Sequence, residues 1–168
     1  PQGPMSKVVS DLDKAVMPLL DIYHEFDLVG KFYGEFLSYS GADKKDRGIV
    51  LTPPHITDLF CRLTEVSKTD TVIDLCTGTG GFLIAAMSHM LAECTTDAER
   101  NDVRANRLVG VETDQTMYAL AAANMLLRGD GKANLYLNSC LDIPAELKAH
   151  DATVGMLNPP YSLKSKGL

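Results

Sequence analysis

TVIDLCTGTGGFLIAA, residues 71–86, is the stretch of this sequence that decides the fold. A short β-branched run ends at Asp74, a glycine turn follows at residues 78–81, and the next segment is apolar enough for a buried helix. Many α/β folds make room for an adenosine-bearing cofactor with a strand, a glycine turn and a helix in this order. The stretch therefore predicts a cofactor loop at the carboxyl end of the first strand of a sheet.

Short β-branched runs alternate with longer helical runs from residue 71 onward. Such alternation predicts a parallel sheet with crossover helices, because parallel strands cannot be joined by a tight hairpin. The polar residues 95–107 predict a surface excursion, with a helical turn at most. The predicted strands are residues 71–75, 108–112, 133–137 and 152–157, and the predicted helices between them are residues 80–92 and 115–127.

The amino-terminal part has a different pattern. Residues 10–40 carry apolar side chains at three- and four-residue spacings, which predicts two or three short amphipathic helices. We therefore expect a helical amino-terminal region, residues 1–47, and a cofactor-binding and catalytic domain, residues 48–168. That domain should open with a helix near His55, whose apolar face would consist of Ile56, Leu59, Phe60 and Leu63.

Composition limits the classes of function that this chain can have. It has 168 residues, 45% of them hydrophobic, and no apolar run reaches the ~20 residues that span a bilayer. We therefore expect a soluble chain without a membrane partner, and the absence of a signal-peptide pattern makes the cytoplasm the expected location. The four cysteines and four histidines are scattered, so neither a metal site nor a disulfide framework is predicted.

Charge bears on nucleic-acid binding. The net charge of −6 comes from 22 acidic and 16 basic residues, whereas a domain that grips nucleic acid unaided carries a basic face. If DNA is the substrate, other regions or subunits must hold it.

The glycine turn does not identify its cofactor, because the same turn would serve several. A triphosphate cradle ends in lysine, and here Phe82 follows the glycines, so a triphosphate is disfavoured while a dinucleotide remains open. The second predicted strand ends at Glu112. An acid in that position can accept hydrogen bonds from both ribose hydroxyls, so we expect Glu112 to bind an unphosphorylated ribose.

Asn158-Pro159-Pro160-Tyr161 follows the last predicted strand. The two prolines fix φ and lack N–H groups, so the Asn158 side-chain oxygen and the adjoining carbonyl become acceptors aimed at one place. Two acceptors on a planar exocyclic amine favour its pyramidal form, which restores nucleophilicity toward a methyl sulfonium. Tyr161 would offer a ring on which a base stacks, and a base inside a duplex must be flipped out to reach it. The motif thus predicts amino-group methylation.

These motifs resemble the amino-group DNA methyltransferases, and most of all the modification (methylase) subunits of type I restriction-modification systems. Residues 27–37 (DLVGKFYGEFL), 48–54 (GIVLTPP) and 123–130 (ANMLLRGD) also fit that family. The resemblance implies a Rossmann-like S-adenosylmethionine-dependent methyltransferase sheet, in strand order 3-2-1-4. Leu75, Gly34 and Asn138 depart from the family pattern, which usually has proline, glutamate and aspartate there.

The resemblance also implies a role for each matching residue. S-adenosylmethionine is the expected cofactor, and Asn138 can still accept a hydrogen bond from its adenine amine, because an amide oxygen replaces the carboxylate. The expected cofactor-binding residues are Thr52 and Pro53 at the methionine end, Asp74, Gly78, Thr79, Gly80 and Gly81 around the amino-acid portion, Glu112 at the ribose and Asn138; the expected catalytic residues are Asn158, Pro159, Pro160 and Tyr161.

The function that the resemblance implies is methyl transfer to the N6 amine of a flipped-out adenine, within a restriction-modification system. The expected partners are DNA, a specificity subunit and a restriction subunit. Enzymes that methylate a protein glutamine or a guanine amine of ribosomal RNA are the nearest alternative, and a non-catalytic scaffold is another. Residues 27–37 and 52–54 favour the DNA enzymes, since the alternatives are not expected to carry them.

The chain ends at Leu168, soon after Tyr161, whereas the fold of the resembling family continues through three more strands. We therefore expect a fragment, truncated after the NPPY motif and inactive alone. Its fourth strand would lie at an edge with unpaired backbone groups, which invites self-association.

Overall fold

The structure is a computed structural model that describes residues 4–15, 18, 35, 51–129 and 134–159. Most of the predicted amino-terminal helices, including residues 27–37, therefore lie outside the described residues. Pro160 and Tyr161 lie outside them as well. The division into two regions at residue 47 stays a prediction.

The described residues form an α/β domain with a parallel sheet of four strands in the order β3-β2-β1-β4. This order confirms the predicted fold class and strand arrangement. The helices and strands are α1 (Pro4–Ala15), α2 (Pro54–Leu63), β1 (Val72–Asp74), α3 (Gly81–Glu93), α4 (Asp97–Asn106), β2 (Leu108–Glu112), α5 (Gln115–Leu127), β3 (Asn134–Leu137), α6 (Pro144–Lys148) and β4 (Val154–Gly155).

Strand β2 and helix α3 form the centre of the core. The first four residues of β2, 108–111, are all buried, as expected for a parallel strand covered on both faces. Helix α3 is buried through residues 82–87 and again at Met90, because it lies between the sheet and α2. A helix that is apolar on nearly every side is stable only in such a position.

The loop between β1 and α3 lies directly on β2. The Thr77 N–H donates to the carbonyl of Val111 at 3.0 Å. A β-carbon at Gly110 would come within 2.6 Å of both Thr77 Oγ1 and Leu135 Cδ2, so any larger residue there would have to displace these side-chain ends. The hydrogen bond from Thr77 to Val111 and the small size of Gly110 together set how close the loop lies to β2.

Helix α4 corrects the prediction for residues 95–107. We expected a helical turn at most, but residues 97–106 form a ten-residue helix. Thr96 Oγ1 accepts the Glu99 N–H at 3.2 Å, and the Glu99 carboxylate accepts the Thr96 N–H at 3.1 Å. This capping box is readable as T-x-x-E, and it stabilises a helix whose polar composition hides its periodicity.

Helix α2 begins where predicted but packs through a different face. Its buried residues are Thr57 and Cys61, whereas Leu63 is 71% exposed. The predicted apolar face of Ile56, Leu59, Phe60 and Leu63 is therefore not the buried face, although the Phe60 ring centroid lies 5.3 Å from that of Phe82 in α3. The smaller side chains face the core because α2 approaches α3 closely. Thr57 Cγ2 lies 3.7 Å from the place where a β-carbon on Gly81 would stand.

Within the described ranges, β3 pairs only with β2 and β4 only with β1, so both outer edges of the sheet are open there. Self-association through the β4 edge stays a prediction. None of the described helices has the length and apolar character that crossing a membrane requires. No group of three metal-ligating side chains was found among the described residues either.

We expect Gly110→Ala to lower the free energy of unfolding by about 1–3 kcal/mol, because its new methyl group overpacks the space between Thr77 and Leu135. Gly155→Ala is the matched control, since a β-carbon there would lie 4.0 Å from Ile73 Cγ2 and should change stability by less than about 0.5 kcal/mol. Urea unfolding of both variants checks the difference. Equal stabilities would show that the loop can rise from β2 freely.

Candidate cofactor and target-amine site

The predicted site residues that the structure describes lie at or just beyond the carboxyl ends of the strands, with residues 52 and 53 ahead of α2. The glycine loop follows β1, Glu112 ends β2, Asn138 follows β3 and Asn158 follows β4. Carboxyl ends of parallel strands meet at one edge, which is where open α/β sheets bind ligands. The fold therefore gathers residues that are far apart in the sequence.

The glycine loop has the left-handed backbone that its glycines predict. Gly78 has φ +55° and Gly80 has φ +91°, and the Gly80 N–H donates to the Thr77 carbonyl at 2.8 Å. A β-carbon on Gly78 would meet no atom within 4 Å, so open space borders the loop there. Helix α3 begins at the next residue, Gly81, and no side chain caps its first turn. The backbone N–H groups at such a helix end favour an electronegative ligand atom.

The carboxylate of Glu112 joins the loop to the end of β2. Its Oε2 accepts the Gly78 N–H at 2.8 Å, while its Oε1 accepts the N–H groups of Thr113 and Asp114, each at 2.8 Å. Each carboxylate oxygen can accept about two hydrogen bonds. Oε2 therefore keeps capacity for one further donor, whereas Oε1 is saturated.

Asp74 is a buried carboxyl group beneath the loop, with only 1% of its surface exposed. Its Oδ1 accepts the Cys76 N–H at 3.0 Å, but its Oδ2 has no hydrogen-bond partner among the described residues. Burial raises the pKa of Asp74 to about 7, and the negative charge of Glu112 adds to the effect. Asp74 thus offers a buried acceptor that a cationic or hydrogen-bonding ligand group would satisfy.

Asn138 continues the pairing of β3 with β2. Its N–H donates to the Glu112 carbonyl at 3.0 Å, and its side-chain oxygen accepts the Ser139 N–H at 2.8 Å. The side chain is exposed and close to Glu112, so its role at the adenine amine stays a prediction. Cys140, two residues further on, is partly exposed.

Asn158 lies against the segment that precedes α2. Its Nδ2 donates to Thr52 Oγ1 at 3.2 Å across 106 positions of sequence. Pro53 is the N-cap of α2, and its carbonyl accepts the N–H groups of Ile56 and Thr57. The predicted cofactor segment and the predicted amine clamp therefore meet in space, although Pro160 and Tyr161 lie outside the described residues.

One residue that contacts the site was missed in the sequence. Asn124 of α5 is fully buried, and its Nδ2 donates to the Thr79 carbonyl at 2.8 Å. The signal that the sequence offers is a single amide side chain within the apolar part of α5. The resemblance of residues 123–130 to the family does not by itself assign it a role. Asn124 joins a helix on one side of the loop to the loop's backbone.

The sheet order and the glycine loop place the chain among the α/β proteins of the methyltransferase-like type. A sequence profile described as N-6 DNA Methylase matches residues 24–167, and the chain belongs to that family. The family assignment agrees with the resemblance drawn from the motifs.

Two curated relatives are similar to this chain over most of its length. The chain is 42% identical over 160 residues to the type II restriction enzyme and methyltransferase RM.BcgI of Heyndrickxia coagulans, covering 95% of this chain and 25% of that protein. It is 28% identical over 142 residues to the type I restriction enzyme MjaVII methylase subunit of Methanocaldococcus jannaschii, covering 83% and 23%. The chain thus spans about a quarter of the length of these relatives.

Solved structures share the fold. A modification subunit from Vibrio vulnificus YJ016 has a TM-score of 0.71 at 22% identity, covering 94% of this chain and 32% of that chain. The EcoKI M protein of a type I restriction enzyme has a TM-score of 0.57 at 21% identity, covering 68% and 26%.

Asp74→Asn should change how stability depends on pH. Asp74 holds its proton more tightly in the folded chain, with a pKa of about 7 against the ordinary 3.8, so wild-type stability should fall as pH rises through this window. The Asp74→Asn variant has no titratable group at position 74. The difference in free energy of unfolding between this variant and wild type, measured with urea, should therefore rise by about 3 kcal/mol in favour of the variant from pH 5 to pH 8.

Asp70→Asn is the control with the opposite shift. The Ser67 N–H and the Thr153 hydroxyl bond the Asp70 carboxylate and hold its pKa below the ordinary value. Asp70 is ionised in both the folded and the unfolded chain above about pH 5. The difference in free energy of unfolding between Asp70→Asn and wild type should therefore stay constant from pH 5 to pH 8. A constant difference for Asp74→Asn as well would contradict the raised pKa of Asp74.

Proposed function

We propose that this chain is the cofactor-binding and amine-recognising part of a DNA methyltransferase of a restriction-modification system. It would transfer a methyl group from S-adenosylmethionine to the N6 amine of a flipped-out adenine. The observation that carries this proposal is the hydrogen bond between Asn158 and Thr52, because it joins the amine clamp to the cofactor segment in a chain of the N-6 DNA Methylase family.

The residues present fit S-adenosylmethionine. Open space beside Gly78 leaves room for a ligand. Asp74 Oδ2 has no hydrogen-bond partner among the described residues, and it can accept one from a ligand when Asp74 is ionised. When bound, S-adenosylmethionine supplies a methyl group made electrophilic by its positive sulfur. The residues that would hold it are Thr52, Pro53, Asp74, Gly78, Thr79, Gly80, Gly81, Glu112 and Asn138.

Glu112 and Asp74 would select the ligand by charge and by hydrogen bonding. The free capacity of Glu112 Oε2 suits one ribose hydroxyl as donor, while its other bonds keep the carboxylate fixed. Asp74 is near its midpoint of titration at neutral pH, so a cationic group nearby would favour its ionised form. Two carboxylates at the site favour a cofactor with positive charge over one with several phosphates.

Thr52 would orient the amine clamp. Because the Thr52 hydroxyl takes up Nδ2 of Asn158, the side-chain oxygen of Asn158 is the atom left to accept a hydrogen from the target amine. Pro159 has no N–H, so the backbone beside Asn158 offers acceptors alone. Both acceptors would draw the amine nitrogen toward its pyramidal, nucleophilic form. By resemblance, Pro160 would continue the clamp and Tyr161 would stack on the adenine.

The proposed partners follow from charge and from relatives. The net charge of −6 supports DNA being held mainly by regions or subunits beyond this domain. Relatives named as methylase subunits of type I restriction enzymes support a specificity subunit and a restriction subunit as partners. We place the proposed enzyme in the cytoplasm, where the DNA it would modify lies. The same names, together with the family, favour DNA adenine over a protein glutamine or a ribosomal guanine, and favour catalysis over a scaffold role.

Calorimetric titration of S-adenosylmethionine into this chain, with NAD as the control ligand, tests the cofactor half of the proposal. We expect S-adenosylmethionine alone to bind. Glu112→Ala should weaken that binding by roughly 1.5–3 kcal/mol, because the hydrogen bond from a ribose hydroxyl to a charged acceptor is lost. Glu146→Ala, which removes an exposed acid of α6, should leave the affinity unchanged. Equal affinities for the two ligands would overturn the proposed cofactor.

Asn158→Ala should abolish methyl transfer while sparing cofactor affinity, when measured on adenine-containing DNA in the complete enzyme that contains this chain. Thr52→Val should lower kcat, because Asn158 loses the partner that orients it, and Thr52→Ser should retain most of the rate. The dissociation constant for S-adenosylmethionine, measured alongside, separates a fault in the clamp from a fault in the cofactor segment. Continued methylation by Asn158→Ala would exclude the proposed clamp.

A further inference from the structure

The peptide bond between Thr79 and Gly80 is held from two sides. Its carbonyl accepts the side-chain N–H of Asn124 at 2.8 Å, and its N–H donates to the Thr77 carbonyl at 2.8 Å. The C=O and N–H of a trans peptide point in opposite directions within one plane. These two hydrogen bonds therefore fix the orientation of the plane at the centre of the glycine loop.

Glycine makes this peptide able to turn over. Gly80 has φ +91°, and glycine populates positive and negative φ about equally well. A rotation of the plane would therefore meet little steric resistance from Gly80 itself. It would carry the Thr79 carbonyl and the Gly80 N–H to the wrong sides of the loop, and the hydrogen bond from Asn124 opposes it.

Asn124 is itself held in one orientation. The guanidinium of Arg128 donates to the Asn124 side-chain oxygen at 3.2 Å and to its carbonyl at 3.0 Å, which leaves the amide nitrogen directed at Thr79. One turn earlier on α5, Ala121 lies beside Gly80, at 3.8 Å from where a β-carbon would stand. Helix α5 thus contacts the loop through two residues on one face.

Strand β2 and helix α5 each hydrogen-bond the glycine loop, at the adjacent residues Gly78 and Thr79. Glu112, at the end of β2, holds the Gly78 N–H, and Asn124 holds the Thr79 carbonyl. Asp114 caps α5 by accepting the N–H groups of Thr116 and Met117, so only two residues separate Glu112 from the start of the helix at Gln115. This short connection therefore positions both Glu112 and Asn124 against the loop.

We propose that Asn124 is a positioning residue, which holds the glycine loop in its cofactor-binding form through the Thr79 carbonyl and without touching the cofactor. That the ligand is S-adenosylmethionine rests on the function proposed above. That Asn124 holds the loop does not, because the hydrogen bond joins two groups of the chain itself.

The test compares Asn124→Ala with Asn134→Ala. Asn134 is a matched control, because its side chain also donates to backbone carbonyls, those of Ala105 and Leu108, but at the amino end of the sheet, away from the loop. Asn124→Leu, which fills most of the space of the amide without a donor, is the second variant in case the alanine fails to fold. Thermal unfolding identifies the variants that remain folded.

The first measurement is amide hydrogen exchange of the chain without ligand. Asn124→Ala and Asn124→Leu should raise exchange at Gly78 and Gly80 at least about tenfold over wild type, because a buried carbonyl loses its partner. Asn134→Ala should leave those two amides unchanged. Equal exchange in the Asn124 and Asn134 variants would overturn the proposal that Asn124 holds the loop.

The second measurement is the dissociation constant for S-adenosylmethionine. We expect about a tenfold increase for the Asn124 variants, equivalent to about 1.4 kcal/mol, and no change for Asn134→Ala. Faster exchange at Gly80 with unchanged affinity would overturn the role in cofactor binding. Failure of the wild-type chain to bind S-adenosylmethionine would count against the proposed function, while the exchange result would still decide whether Asn124 holds the loop.

Discussion

The contact between the glycine loop and β2 is the constraint on which the rest of the site depends. The absence of a side chain at Gly110 lets Thr77 lie on the strand, and the Thr77 N–H bonds the Val111 carbonyl. At that height the next amide, from Gly78, meets the Glu112 carboxylate at the end of the same strand. A larger residue at position 110 would lift the loop and disturb the hydrogen bonds that follow.

Much of the fold could be predicted from the sequence because periodicity and glycine placement act locally. The bounds of β2 and α5 match the prediction residue for residue. The strand order matches the order that the family resemblance implies. Helix α4 was missed because its stability begins with a capping box and its surface is polar. The packing face of α2 was misassigned because close approach of two helices favoured small side chains over the large apolar ones.

The site was predictable only in part for a related reason. Residues at strand ends can be located from the strands themselves, and those that the structure describes do lie there. Asn124 could not be found in the same way, since its function depends on which carbonyl a distant loop presents to it. The contact of Asn158 with Thr52 likewise depends on how α2 lies beside the sheet, a long-range arrangement that no local pattern encodes.

Strand β4 is very short, and this has a consequence for how the site can change. Among the described residues, only Val154 and Gly155 pair with β1 as a strand. The Thr153 N–H also donates to the Thr71 carbonyl before the strand, and the Met156 N–H donates to the Ile73 carbonyl after it. The Asn158 side chain thus depends on its hydrogen bond with Thr52 for a fixed position. For the proposed role of Asn158, a displacement of about 1 Å at the reacting atoms would cost up to a hundredfold in rate. Substitutions in residues 153–157 would shift the proposed acceptor without altering the hydrogen bonds of Thr77 and Gly78 that hold the glycine loop to β2.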